Sequence, residues 1–283
     1  MKNAIIQINF TSGMGDFILA LHEVVYTAKS LRDDGYYLRL YLFLSNNVYM
    51  REEDFFNFFN KEIFEDFSEI IINKIPIKEK CFEDLKHVYT LCGASPGQHW
   101  WDLFLSSEED IYNFLKLGGY TQKNIFEKRL PFLNNSLFDE YKKMKRELNL
   151  LSYNSIHYRT RDCQFDKKIF EKNKPKILDV LNTNVNFYFA TNSQNIKKWL
   201  RDINFRNVTN LNFEDDEKDG VHYDYNKLLF SNIEKLNNTT KLTLFEIMLI
   251  GDSNKFYLFS EWERPSNFSF LAKVKNIEMI ENF

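Results

Sequence analysis

The sequence predicts an α/β chain of two halves, each built on a parallel sheet. Near the N-terminus, a short apolar strand runs through a glycine turn into a helix and a second strand. A second alternation of strands and helices begins near residue 155. The length, 283 residues, suits two modest domains or one large one.

Ala4-Ile5-Ile6-Gln7-Ile8 is a β-branched run, hence a buried strand. Thr11 to Asp16 is a small-residue turn. A helix is expected from Asp16 to Leu31, because Ile18, Leu21, Val24, Val25 and Ala28 recur at helical spacing. Asp16 is placed to cap it, and Asp33-Asp34-Gly35 to stop it. Tyr37 to Leu44 reads as the next strand, which completes a βαβ unit and so a parallel sheet.

Phe55 to Phe67 reads as helical or irregular, with strands at Glu69–Asn73 and His87–Cys92 and a loop at Gly93–Gly97. Ser107–Leu117 is a helix with acids in its first turn, where the dipole favours them. Leu137–Leu148 is a charged amphipathic helix. The second series has strands at Ser155–Tyr158, Val185–Ala190 and Lys255–Phe259. Its helices are Pro175–Leu181, opened by the proline, Gln194–Leu200, Lys241–Ile250 and Ser266–Lys273. The boundary is expected near Leu150, giving domains 1–150 and 151–283. Phe213–Asn238, polar at its start, reads as a loop.

Hydrophobic residues make up 44% and charged residues 27%, enough apolar material for a sizeable core. The 28 Phe and 15 Tyr accompany many Asn, Lys and Ile, so this aromatic content is a compositional bias and carries no evidence for sugar stacking. The net charge is −3, and the basic run Lys142-Lys143-Met144-Lys145-Arg146 is flanked by acids on an expected helix. No nucleic-acid partner is expected. Cys81, Cys92 and Cys163 form no CxxC or Cys/His cluster, which argues against a disulfide framework and a zinc site. No apolar run is long enough to span a bilayer, so a cytoplasmic protein is expected, with peripheral membrane association left open.

Four motifs carry candidate chemistry. Gly13 and Gly15 flank Met14 before the first helix, where a backbone can approach a ligand and free N–H groups meet an anion. A purely structural turn fits as well, since the third glycine of a dinucleotide fingerprint is replaced by Ile18. In Ile156-His157-Tyr158-Arg159-Thr160-Arg161-Asp162, a strand delivers His157, Arg159 and Arg161 to its C-terminal end. Ligands of open α/β sheets bind at that end. Guanidinium forks donate in parallel to diphosphate oxygens. The third motif, Thr191-Asn192-Ser193, follows a buried strand and suits either a ribose or a plain helix cap. The fourth runs from Glu246, an acid in an apolar helix, through Ser260 to Ser266, Asn267 and Ser269 at a helix start. A buried acid must accept hydrogen bonds, from ligand hydroxyls or from backbone N–H groups.

In this order, the four motifs resemble the fucosyltransferase superfamily, which includes α1,6-, α1,2- and protein O-fucosyltransferases and the nodulation fucosyltransferase. Ser12 to Leu19 is similar to that family's first glycine turn, and Leu21 to Tyr26 to the adjoining helix stretch of the α1,6 group. Ile156 to Asp162 is similar to its H-x-R strand, Phe187 to Asn192 to its third motif, and Leu244 to Ala272 to its last block. Residues 45–150 match nothing in the family. Thr160 separates arginines that are adjacent in the α1,6 enzymes, Asn192 stands where an acid is usual, and Glu261-Trp262-Glu263-Arg264 is an atypical insertion.

The resemblance implies a GT-B fold: two Rossmann-like domains whose parallel sheets face a central cleft, the acceptor side N-terminal and the donor side C-terminal. It implies an inverting, metal-independent transfer of fucose from GDP-fucose to a glycan, with no cofactor beyond the nucleotide-sugar. Donor contacts would come from Gly13, Gly15, His157, Arg159, Arg161, Thr191, Asn192, Ser193, Glu246, Ser260, Ser266, Asn267 and Ser269. Arg159 would stabilise the leaving diphosphate, with Asp16, Asp162 or Asp166 as base. His22, His99, Trp100 and Trp101 are candidates for the acceptor side, core packing being the other role for the tryptophans. Alternatives are a heptosyltransferase-like enzyme with another nucleotide-sugar, a Rossmann methyltransferase, and a non-catalytic sugar-nucleotide binder.

Overall fold

The computed structural model describes residues 2–9, 14–33, 35–43, 49–73, 88–92, 132–160, 165–211, 232–261 and 277–279. The chain divides into two compact units, Met1–Asn135 and Ser136–Phe283. Expected elements at Gly93–Gly97, Ser107–Leu117 and Ser266–Lys273 lie outside the described residues.

The first unit opens with β1 (Lys2–Asn9), α1 (Met14–Asp33) and β2 (Tyr36–Phe43). Helix α1 starts two residues earlier than expected, so Asp16 stands inside the first turn and not at its cap. Gly35 ends the connection at φ 81°, a left-handed conformation that only glycine takes cheaply. Two 3-10 turns, Glu52–Asp54 and Lys61–Phe64, flank the short α2 (Phe55–Phe58), and β3 (Glu69–Asn73) and β4 (Val88–Cys92) come next. Among the described residues the sheet order is β3-β2-β1-β4, every pair parallel. Phe17 of α1 meets Phe55 and Phe59 edge-on at 6.2 and 5.6 Å, and those two rings stack at 4.8 Å. Here the abundant phenylalanines are core.

The second unit begins with α3 (Asn135–Glu147), then β5 (Tyr153–Arg159) and α4 (Lys167–Leu181). The sequence boundary near Leu150 falls after α3, whereas α3 packs with the second unit. Its Tyr141 hydroxyl donates to Asp252 Oδ2 at 2.6 Å, and Lys145 Nζ lies 3.0 Å from the same oxygen. Helix α4 does not open at Pro175. It starts eight residues earlier, where the Asp166 carboxylate accepts the N–H groups of Lys168 and Ile169. Pro175 forgoes one helical bond in the middle. Phe170, Ile177 and Leu181, buried on either side of it, hold the helix to the sheet.

Next come β6 (Asn186–Thr191), α5 (Gln194–Ile203) and β7 (Val208–Thr209). Then α6 (Ile233–Gly251), β8 (Phe256–Ser260) and β9 (Ile277–Met279) complete the unit. The loop expected through Asn238 is overtaken by α6, which starts at Ile233 behind an Asn232 cap. Its polar first turns bury Leu236, Thr239 and Thr240, and the Thr239 and Thr243 hydroxyls donate to carbonyls four residues back, both at 2.9 Å. Residues 213–231 of that expected loop are not described.

This sheet runs β7-β6-β5-β8-β9, again all parallel. Helices α4 and α5 cover one face, where Ile156, Tyr158, Phe187, Phe189 and Phe259 pack with Phe170, Ile177, Ile196 and Leu200. Helix α6 lies against the other. Tyr153 donates to Leu249 O at 2.6 Å, and Tyr188 to Glu246 Oε1 at 2.9 Å. Among the described residues, no helix is long and apolar enough to cross a membrane.

Candidate functional site

The order of the second sheet fixes where a ligand would bind. From β5 the chain moves outward through β6 and β7, then returns to the other side of β5 for β8 and β9. Such a reversal leaves a crevice at the carboxyl ends of the central strands. Strand β5 ends there on Arg159.

Alternation decides which side chains arrive. Ile156 and Tyr158 enter the α4/α5 core, so Ser155, His157 and Arg159 face the α6 side. Arg159 pairs with Ser260 of β8, while His157 pairs with Ala190 of β6, which sets Asn192 level with Arg159. The edge of the sheet therefore carries Asn192, Arg159 and Ser260 in a row on one face. The Asn192 side-chain oxygen accepts the N–H of Thr160 at 3.0 Å and ties β6 to β5 at this edge. Arg159 is half-buried. Its guanidinium has no hydrogen-bond or ion-pair partner among the described residues, although burying such a cation is costly unless it is paired.

His157 lies one row below, 4% exposed, between Ala190 and Leu258. Burial, and after it the charge of Arg159, lowers its pKa from 6.5 to about 3. The imidazole is neutral near neutral pH and adds no second cation beside the arginine.

Thr191 and Ser193 are buried, and the Thr191 hydroxyl accepts the Ser193 N–H at 3.2 Å. Ser193 occupies the N-cap position of α5 without a side-chain cap bond. These two residues shape the turn, while Asn192 reaches the edge. Glu246 accepts the Tyr188 hydroxyl at 2.9 Å, a donor that the sequence did not suggest. Tyr188 pairs with Ser155, four residues and so about 13 Å of strand away from Arg159. Burial and the adjacent Glu246 carboxylate push the Tyr188 hydroxyl well above its ordinary pKa, so it stays a donor.

Asp166 caps α4 through Oδ1. Gly15 is buried in the first turn of α1; Asp16 and His22 stand on the same helix, with only their backbones described. Gly13, Arg161, Asp162, Ser266, Asn267, Ser269, His99, Trp100 and Trp101 lie outside the described residues.

One group at the edge escaped the sequence reading. Glu261 directly follows β8, and its carboxylate accepts the Tyr158 hydroxyl at 3.1 Å and the Asp166 N–H at 3.3 Å. Burial, and then Glu261's charge, raise the Tyr158 pKa. The only sequence signal was an acid straight after a buried strand. Lys197, on the second turn of α5, is also buried, which nothing in its polar surroundings announces.

No protein-family model and no curated protein matches the chain. Solved structures do. The nodulation fucosyltransferase NodZ from Bradyrhizobium superposes with a TM-score of 0.56 at 12% identity, over 99% of this chain and 97% of that one. NodZ α1,6-fucosyltransferase soaked with GDP-fucose gives 0.52 at 12% identity, over 98% and 94%. The same enzyme co-crystallised with GDP gives 0.53 at 12% identity, over 99% and 96%. The chain has the GT-B glycosyltransferase fold. At this identity the likeness is one of fold, and its two parallel sheets are the two Rossmann-like halves expected from the sequence.

Proposed function

We propose that this protein is an inverting, metal-independent glycosyltransferase that moves fucose from GDP-fucose to a glycan acceptor, in the cytoplasm. The observation that carries the reading is Arg159, a half-buried guanidinium without a partner among the described residues, at the carboxyl end of the central strand where the sheet order reverses. Support also comes from the fold shared with NodZ, whose crystals held GDP or were soaked with GDP-fucose.

As the glycosidic bond breaks, negative charge gathers on the leaving diphosphate. Arg159 meets that charge in a site already organised to hold it, which is worth on the order of 10²–10³-fold in rate for a single donor group. Arg161 is assigned the supporting role its motif implies. Neutral His157 sits under the arginine and adds no competing charge. Asn192 and Ser260, on either side, offer short polar groups to the nucleotide-sugar. Proton removal from the acceptor is assigned to Asp16, Asp162 or Asp166, the last of which holds two α4 N–H groups through Oδ1 alone.

Calorimetric titration with GDP, UDP, ADP and CDP, on wild type and Arg159→Ala, tests the reading. The expected result is selective GDP binding that Arg159→Ala weakens sharply, followed by GDP release from GDP-fucose when an acceptor is supplied. Selective ADP or UDP binding moves the enzyme to another donor, and no binding of any of them sinks the donor site.

A further inference from the structure

We propose that Glu261 is a positioning residue that fixes Arg159 from the opposite face of the sheet; this rests on the nucleotide-sugar reading above. Consecutive strand residues point to opposite faces. Tyr158 therefore enters the α4/α5 core while Arg159 reaches the α6 side, and one peptide unit joins them. Glu261 is bonded to both residues. Its N–H donates to the Arg159 carbonyl at 3.0 Å, one bond beyond the last registered pair of β5 and β8. Its carboxylate takes the Tyr158 hydroxyl, whose ring is gripped edge-on by Phe170 at 5.6 Å and stacked with Phe259 at 6.5 Å. The same carboxylate takes the Asp166 N–H, so the cap of α4 is tied to the strand end.

The arginine's carbonyl and its preceding side chain are thus both fastened to one residue of the neighbouring strand, while its guanidinium carries no bond of its own among the described residues. A preorganised cation gains from such support, since a bound diphosphate need not order it. Glutamine at 261 keeps the backbone bond. It has one carbonyl oxygen, though, and an amide that cannot accept, so one of the two donors loses its partner.

The test is calorimetry on the full chain: wild type, Arg159→Ala, Glu261→Gln and the double variant. Each is titrated with the nucleoside diphosphate that wild type selects among GDP, UDP, ADP and CDP, and with the matching nucleoside. Glu261→Gln is expected to weaken the diphosphate on the order of tenfold, roughly the loss of part of a charge-assisted bond. The nucleoside should bind as before, because it lacks the group Arg159 holds. In the Arg159→Ala background Glu261→Gln should do nothing further, the non-additivity of two residues that act as one. Equal weakening of diphosphate and nucleoside, an additive double variant, or wild-type binding by Glu261→Gln each overturns the proposal. Diphosphate binding that needs Arg159 but ignores Glu261 overturns it alone; no diphosphate binding by wild type removes both it and the functional reading. If Glu261→Gln does not fold, Tyr158→Phe removes the hydroxyl bond and carries the same comparison.

Discussion

Lowering the pH should loosen this fold through His157, and the size of the effect is set by its burial. The imidazole has an ordinary value of 6.5 in the unfolded chain and about 3 in the folded one. Between these values the unfolded chain binds the proton and the folded chain does not, so acid favours unfolding. The contribution is fully present above 6.5 and is lost as pH falls toward 3. From pH 7 to pH 5 the unfolded histidine becomes almost fully charged while the folded one stays neutral, which costs about 2 kcal/mol at roughly 1.4 kcal/mol per pH unit below 6.5. Urea unfolding at both pH values, on wild type and His157→Gln, measures it. Carboxylates that titrate in the same range contribute to both proteins, so the difference between their pH dependences isolates the histidine. Wild type should lose about 2 kcal/mol more than the variant over this interval. Parallel pH dependences would refute the burial of a neutral imidazole under Arg159, and with it the electrostatic picture of the site.

Asp166→Ala should cost about 1 kcal/mol in a denaturant melt by removing the cap of α4, whereas Asp166→Asn, itself a good cap, should cost only a few tenths; equal losses would mean that the charge matters and the cap does not. Gly35→Ala should destabilise the first unit by about 1–2 kcal/mol, because φ is 81° there while no heavy atom lies within 4 Å of an added Cβ. A neutral result in thermal unfolding would show that the connection relaxes.

How far the sequence carries depends on the range of the interaction that decides each feature. The succession β1, α1, β2 was legible because its apolar spacing is local and Gly35 marks the end of the helix. So was the place of Arg159 at the end of β5, since the strand pattern through Tyr158 runs straight into a charged stretch. The start of α4 was hidden by Pro175, a local breaker overruled by three buried apolar residues. The start of α6 was hidden by its asparagines, one of which caps it, and by threonines whose hydroxyls bond within the helix. Strands of two and three residues, β7 and β9, are too short for any pattern. Glu261 was out of reach for another reason. Its bond to Tyr158 spans 103 positions and exists only because β8 returns to the side of β5 opposite β6.

That dependence on register explains why a strand carrying an arginine and a histidine can stand in a hydrophobic sheet without defeating it. A slip of one residue in β5 would turn His157 and Arg159 into the α4/α5 layer and send Ile156 and Tyr158 toward α6. The slipped state would bury a guanidinium among Phe170, Phe187 and Phe259 and leave Tyr158 without Glu261. An unpaired charge in such a layer costs several kcal/mol. The apolar residues of β5 thus choose the register, and the register alone puts the cation at the carboxyl edge, level with Asn192 and Ser260. Residues of the core layer and residues of the α6 face alternate along the same seven positions, so selection for a stable second unit also keeps Arg159 at the carboxyl edge.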